Sequence, residues 1–146
     1  MARSADDLRG IEYDWIAGDA DGHVALFTTA GGGYIPPQVL LDVDAHDAAI
    51  AVLLASPPRS EVRFAPSLRP ELVNTWRLVA ERGLFAFDAD ANGGPYRLVA
   101  APMSPVEAAS LPPPTVALVP GLVFSRLRFG DVAELSAVQL DELALT

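Results

Sequence analysis

The chain has 146 residues, with nineteen carboxylates against ten arginines, no lysine and no cysteine, for a formal charge of −9. A domain of this length buries roughly 68–70% of the surface its unfolded chain exposes, so a core forms without disulfide or metal staples, and residues 1–146 are read as a single domain. Missing cysteine excludes disulfides and thiolate zinc sites, missing lysine excludes Schiff-base and P-loop chemistry, and the negative charge disfavours nucleic acid as a partner.

No basic, apolar export signal opens the chain, and no apolar run approaches the ~20 residues of a membrane span. The expectation is a cytoplasmic protein with no membrane partner. The lysine-free, alanine- and proline-rich composition suggests a bacterial genome of high GC content, which has no bearing on mechanism.

In chain order, D-W-I-A-G-D-A-D-G-H-V-A-L-F-T-T reads as two strands around Asp21-Gly22, a pair suited to a type I′ turn. A two-residue loop there sets Ile16 opposite Phe27 and Trp15 opposite Thr28, with both faces apolar and the hairpin buried. A flexible A-G-G-G turn follows and runs into Y-I-P-P. Asp44 is expected to cap a helix over Ala45–Ser56, with Asp47 in its first turn and Ala49, Val52 and Leu53 on its apolar face. A short strand, E-V-R-F-A, comes next. The second helix has Pro70 in its first turn, Leu72, Trp76 and Val79 on one face, and Gly83 as the left-handed C-terminal residue.

L-F-A-F and Y-R-L-V-A form a second hairpin over Leu84–Ala101. Beyond a proline-punctuated connection with one short helical turn, T-V-A-L-V and L-V-F-S-R-L-R-F are strand candidates. Asp131 and Glu134 make a box-like start to a C-terminal helix. Helices and hairpins in this order predict an α+β domain, a largely antiparallel sheet with two to three helices packed on one face.

The stretch D-A-D-A-N-G-G raises the one metal question. A calcium loop starting at Asp88 would take oxygen ligands from Asp88, Asp90 and Asn92, with Gly93 at the sharp turn. Position twelve of that loop is Val99, where a bidentate glutamate should close the cage, and the flanks read as strands. With Asn92-Gly93 as a hairpin turn, Asp88 falls opposite Arg97, Phe87 opposite Leu98 and Phe85 opposite Ala100. The turn is the preferred reading, and Asp88, Asp90 and Asn92 remain weak metal candidates beside it.

Asp19, Asp21 and His23 also crowd one turn, but a two-residue loop would divide them between strands. His46 falls in the first turn of its helix, where a solvated or capping role is the default. With two histidines and no H-x-x-x-H pair, a histidine zinc site is not indicated. No serine sits in G-x-S-x-G, and Gly31–Gly33 lacks the context of a phosphate loop. Arg126 and Arg128 read as one solvated face, and Trp15 and Trp76 as core anchors.

The hairpin carries one resemblance. Trp15, Ile16, Ala17, Asp19, Gly22, Val24, Ala25, Phe27, Thr29, Ala30 and Gly31 fit the pattern W-[FI]-A-x-D-x-x-G-x-[IV]-A-x-F-x-T-[AG]-G, which resembles the opening of small bacterial proteins, some of them similar to immunity proteins. That resemblance implies a protein that neutralises a toxin by binding it, and it transfers no catalytic residue.

The reading is therefore a non-catalytic, acidic domain without a cofactor that binds another protein, a basic one by charge complementarity, in the manner of an immunity-like inhibitor of a bacterial toxin. A small enzyme or metal-dependent binding domain using the acidic turns is the alternative. A homo-oligomeric structural subunit, dimerising through its apolar C-terminal segment, is the third.

Overall fold

A computed structural model describes residues 10–65, 75–89 and 92–143. Its first element, β1 (Asp14–Asp19), pairs antiparallel with β2 (Val24–Thr28), and every β2 residue is buried. The hairpin forms as its sequence predicts, but one step out of the expected register: Trp15 lies opposite Phe27 and Ile16 opposite Leu26. Asp19 is the cause. Its Oδ1 accepts from the backbone N–H groups of Asp21 and His23, both at 2.9 Å, which closes a three-residue turn, Ala20–Gly22, in place of a two-residue one. Gly22 takes the positive φ, +79°, that such a turn needs at its last position.

A tight loop follows, where the Thr29 carbonyl accepts from the N–H groups of both Gly32 and Gly33 and the Gly31 carbonyl accepts from Gly10. The glycines are pinned and not the flexible turn that composition suggests. After the single turn α1 (Pro37–Leu40) comes α2 (Val43–Ala55), whose cap is Asp42, accepting from the Ala45 N–H at 3.2 Å. Asp44 moves into the first turn, the position expected for Asp47. The earlier start rotates the buried stripe onto Val43, His46, Ala49, Ile50 and Leu53, and leaves Val52 at 42% exposure.

The short strand β3 (Val62–Phe64) forms as expected, and α3 (Thr75–Glu81) keeps Val79 buried and Trp76 half-buried. Gly83 ends it with φ +95°, its N–H bonded to the Ala80 carbonyl and the Leu84 N–H to Val79, the paired closure expected of a left-handed terminus. Pro70 and Leu72 lie outside the described residues. In the second hairpin, β4 (Phe85–Asp88) and β5 (Tyr96–Pro102) set Asp88 opposite Arg97 and Phe87 opposite Leu98, as predicted. A bulge then shifts the ladder, so Ala86 and not Phe85 faces Ala100. The extra residue places Val99 and Ala100 in one core layer.

The C-terminal third departs most from the sequence reading. T-V-A-L-V is no strand: Pro113 and Pro114 occupy the first turn of α4 (Pro113–Leu118), where their missing N–H groups cost nothing. Of L-V-F-S-R-L-R-F only β6 (Val123–Phe124) is extended. The last helix, α5 (Ala137–Leu143), starts six residues beyond Asp131, after β7 (Glu134–Leu135). Its box is Ser136 and Gln139: the Ser136 Oγ accepts from the Gln139 N–H at 3.1 Å and the Gln139 Oε1 from the Ser136 N–H at 2.8 Å.

These seven strands make one mixed, mostly antiparallel sheet in the order β3-β5-β4-β2-β1-β6, with β7 also on β5. The domain is α+β. Strand alternation divides its core. Ile16, Leu26 and Ala86 face the layer covered by α2 and α3. Trp15, Phe27 and Phe87 face the other layer, where Trp15 stacks on Phe27 at 4.1 Å and Phe27 on Phe87 at 5.2 Å. Tyr96 meets Trp15 and Phe27 edge-on, accepts from the Trp15 Nε1–H at 3.1 Å and donates to the Tyr34 carbonyl at 2.7 Å.

His46 is not solvated. It is 1% exposed, and its Nδ1 accepts from the Ile16 N–H at 3.1 Å. Burial pushes its pKa down to about 4, Asp42 offsetting only part, so the ring is neutral at pH 7. The unfolded chain takes up this proton near pH 6.5 and the folded chain only near 4, so stability is full above about 6.5 and falls as pH drops between those values. The expected loss by pH 4 is about 3 kcal/mol. Urea denaturation across this range should show a His46→Gln variant lacking that component, and parallel pH profiles for the two proteins would contradict it.

Candidate functional site

Two clusters of chemically capable side chains lie on opposite faces of β1. At its C-terminal end the three-residue turn brings Asp19, Asp21 and His23 together, with one ligand atom from each within 4.8 Å of the other two. The two-residue loop expected from sequence would have kept them apart. Asp19 is only 3% exposed and its carboxylate is committed: beyond the two bonds of the turn, Oδ2 accepts from the Phe129 N–H at 2.9 Å. Asp21 meets the Arg128 guanidinium at 3.3 Å on the surface, and the His23 ring packs 6.1 Å from that of Phe85. Asp19 thereby ties the turn to the segment entering the last 3-10 turn, Phe129–Asp131, a structural task that uses both its oxygens.

At the opposite end of the strand a polar row crosses the sheet. Register puts Asp14 beside Thr28, Thr28 beside Asp88, Asp88 beside Arg97 and Arg97 beside Glu134. By alternation Asp14, Thr28, Asp88 and Arg97 share the face opposite Trp15, Phe27 and Phe87. Asp88, read from sequence as a calcium ligand or a register marker, thus stands in a row with partners distant in sequence. Asn92 lies in the turn, and Asp90 lies outside the described residues.

The row is acidic at its Asp14 end. Burial raises the Asp14 pKa above the usual carboxylate range, and the charges of Glu12 and Asp47 raise it further. The Thr28 hydroxyl is close enough to offset part of this rise, yet hydrogen-bond geometry is not met, and Asp14 Oδ1 and Thr28 Oγ1 are each buried without a partner. Neighbouring Tyr13 is buried, donates to the Val43 carbonyl at 2.9 Å, and has its pKa raised by burial and then by Asp47, Asp14, Asp44 and Asp42. Glu12, Asp42, Asp44 and Asp47 are exposed around it.

No signal at the scale of a motif joins Asp14, Thr28 and Asp88, because three strands supply one residue each. The only clue in the sequence was a polar residue at a strand end in each apolar run. Arg126 and Arg128 are both exposed and neither is on a strand, Arg126 lying in a turn and Arg128 in the extended backbone that follows it. Among the described residues no helix is long and apolar enough to cross a membrane. Comparison with protein-family models, curated proteins and solved structures finds no match to this chain.

The two acidic residues of the first turn should separate cleanly in stability. Asp19→Ala removes three charge-assisted acceptor bonds inside the fold and should cost about 3–5 kcal/mol in urea denaturation. Asp21→Asn breaks only a surface ion pair and should change stability by less than about 1 kcal/mol. Equal losses in the two variants would contradict the structural assignment of Asp19.

Proposed function

We propose that this chain is a non-catalytic protein-binding domain that takes a basic partner, acting as an immunity-like inhibitor of a bacterial toxin. The observation that carries the reading is the crowding of carboxylates where β1 and α2 begin. Glu12, Asp42, Asp44 and Asp47 are exposed there, and their charges raise the pKa values of the buried Tyr13 and the half-buried Asp14, the direction of mutual repulsion. A cationic surface docked on this end would relieve that repulsion and be steered to it at long range.

Two apolar side chains adjoin these carboxylates in the chain, Ile11 beside Glu12 at 53% exposure and Leu41 beside Asp42 at 71%. They supply apolar contact for a partner within a charged surround. The formal charge of −9 and the resemblance of the first hairpin to that of small bacterial proteins, some of them similar to immunity proteins, support the same reading.

The test is co-expression with the product of the neighbouring gene, followed by affinity purification at low and high salt. Retention of a basic protein, weakened at high salt and at least about tenfold weaker for an Asp44→Asn, Asp47→Asn double variant, is the expected outcome. Both residues are exposed and neither caps α2, so the variant should fold normally. Binding indifferent to salt and to the double substitution would sink the proposal, as would failure to retain the neighbour's product.

A further inference from the structure

Three buried side-chain oxygens are without a hydrogen-bond partner among the described residues, and two of them, Asp14 Oδ1 and Thr28 Oγ1, belong to residues side by side in the sheet. Thr28 is 2% exposed and lies in register between Asp14 on one neighbouring strand and Asp88 on the other. Buried polar atoms are almost always paired, so two orphans on adjacent strands call for a specific occupant. Both are oxygens, close to one another without hydrogen-bond geometry between them, in a field made negative by Glu12 and Asp47.

We propose that Asp14 and Thr28 are ligands of a hard, oxygen-coordinated cation, best matched by calcium, with Asp88 supplying a second carboxylate from the next strand. Calcium takes six to eight oxygens in irregular arrangements, so two carboxylates, a hydroxyl and waters fit its chemistry. Magnesium is smaller, gives up its waters reluctantly and demands near-octahedral geometry, so it suits this irregular set of ligands less well. Zinc prefers nitrogen and sulfur, and neither occurs in this set. Arg97, the fixed positive charge of the row, stands in register with Asp88 on the next strand and lies two strands from Thr28, roughly 10 Å at ordinary strand spacing.

This site differs from the calcium loop suggested by D-A-D-A-N-G-G. It keeps Asp88 and replaces Asp90 and Asn92 with residues from β1 and β2. It also differs from the Asp19, Asp21 and His23 cluster, whose buried carboxylate already holds three backbone N–H groups.

Protein stripped with a chelator and titrated with calcium chloride by calorimetry should bind one ion, with affinity down to the millimolar end of the protein range, and melt at a higher temperature when loaded. Magnesium chloride should bind at least about tenfold more weakly. Thr28→Val keeps the shape and removes only the oxygen, so it should fold and lose binding, and Asp14→Asn should lose it too. Asp21→Asn with His23→Ala should bind like the parent. No heat and no melting shift at millimolar calcium would overturn the proposal. So would binding that survives both Thr28→Val and Asp14→Asn, or an Asp14 carboxyl NMR titration unmoved by calcium, which would assign the gap to a proton.

Discussion

The outward hydrogen-bonding edge of β1 is the constraint around which the fold closes. The Thr29 N–H donates to the Tyr13 carbonyl at 2.9 Å and the Asp19 N–H to the His23 carbonyl at 3.0 Å, with the return bonds from the Tyr13 and His23 N–H groups going to the side chains of Thr29 and Asp19, so the even-numbered N–H groups of β1 point away from β2. The strand is buried, and each of those donors needs an acceptor. Gly18 finds the Leu122 carbonyl at 2.8 Å, Ala20 finds Leu127 at 2.8 Å, and Ile16, beyond the reach of the two-residue β6, finds the imidazole of His46. A helix side chain thus stands in for a missing strand. Because that acceptor must be an unprotonated nitrogen, the burial that lowers the His46 pKa also maintains the bond.

This substitution explains which parts of the sequence were readable. Where a residue's role is set by near neighbours, the pattern sufficed: both hairpins, the short strand, the Gly83 terminus and the Asp88 to Arg97 pairing follow from local periodicity and turn chemistry. Errors arose where several residues of the same type competed. Asp42, Asp44 and Asp47 can each begin a helix, and the one that does is the one that turns Val43 and His46 inward. Likewise Asp131 with Glu134 and Ser136 with Gln139 both spell a box, and Glu134 and Leu135 are drawn into β7 beside β5, so the later box caps the helix. For T-V-A-L-V the prolines ahead of it outweighed its β-branched residues.

The candidate sites were less legible because both depend on register. One step of slip decides whether Asp19 faces His23, and it turned on a carboxylate choosing backbone donors over solvent. The row from Asp14 to Glu134 required the order of five strands, including a parallel pairing of β2 with β4 across the intervening α1, α2, β3 and α3, before its members could be seen as neighbours. His46 illustrates the same point. Its place in the first helical turn was correct, but its burial depends on which strand lies beneath that turn.

Asp14 and Asp19 open and close the same strand, and the contrast between them locates the surplus chemistry of this molecule. Asp19 accepts three backbone N–H groups, and its negative charge is spent in holding a turn and a distant segment together. Asp14 has no such donors: it lies next to a threonine hydroxyl that does not bond to it, and among carboxylates that repel it. A fold selected for stability alone has a simple remedy at that position, an apolar residue to match the rest of β1, since replacing unpaired buried polar groups by apolar ones is close to neutral or stabilising. Keeping a carboxylate there, in register with Thr28 and Asp88 and beside the acidic start of α2, makes sense if positive charge arrives from outside, carried by a cation in the row or by the surface of a basic partner.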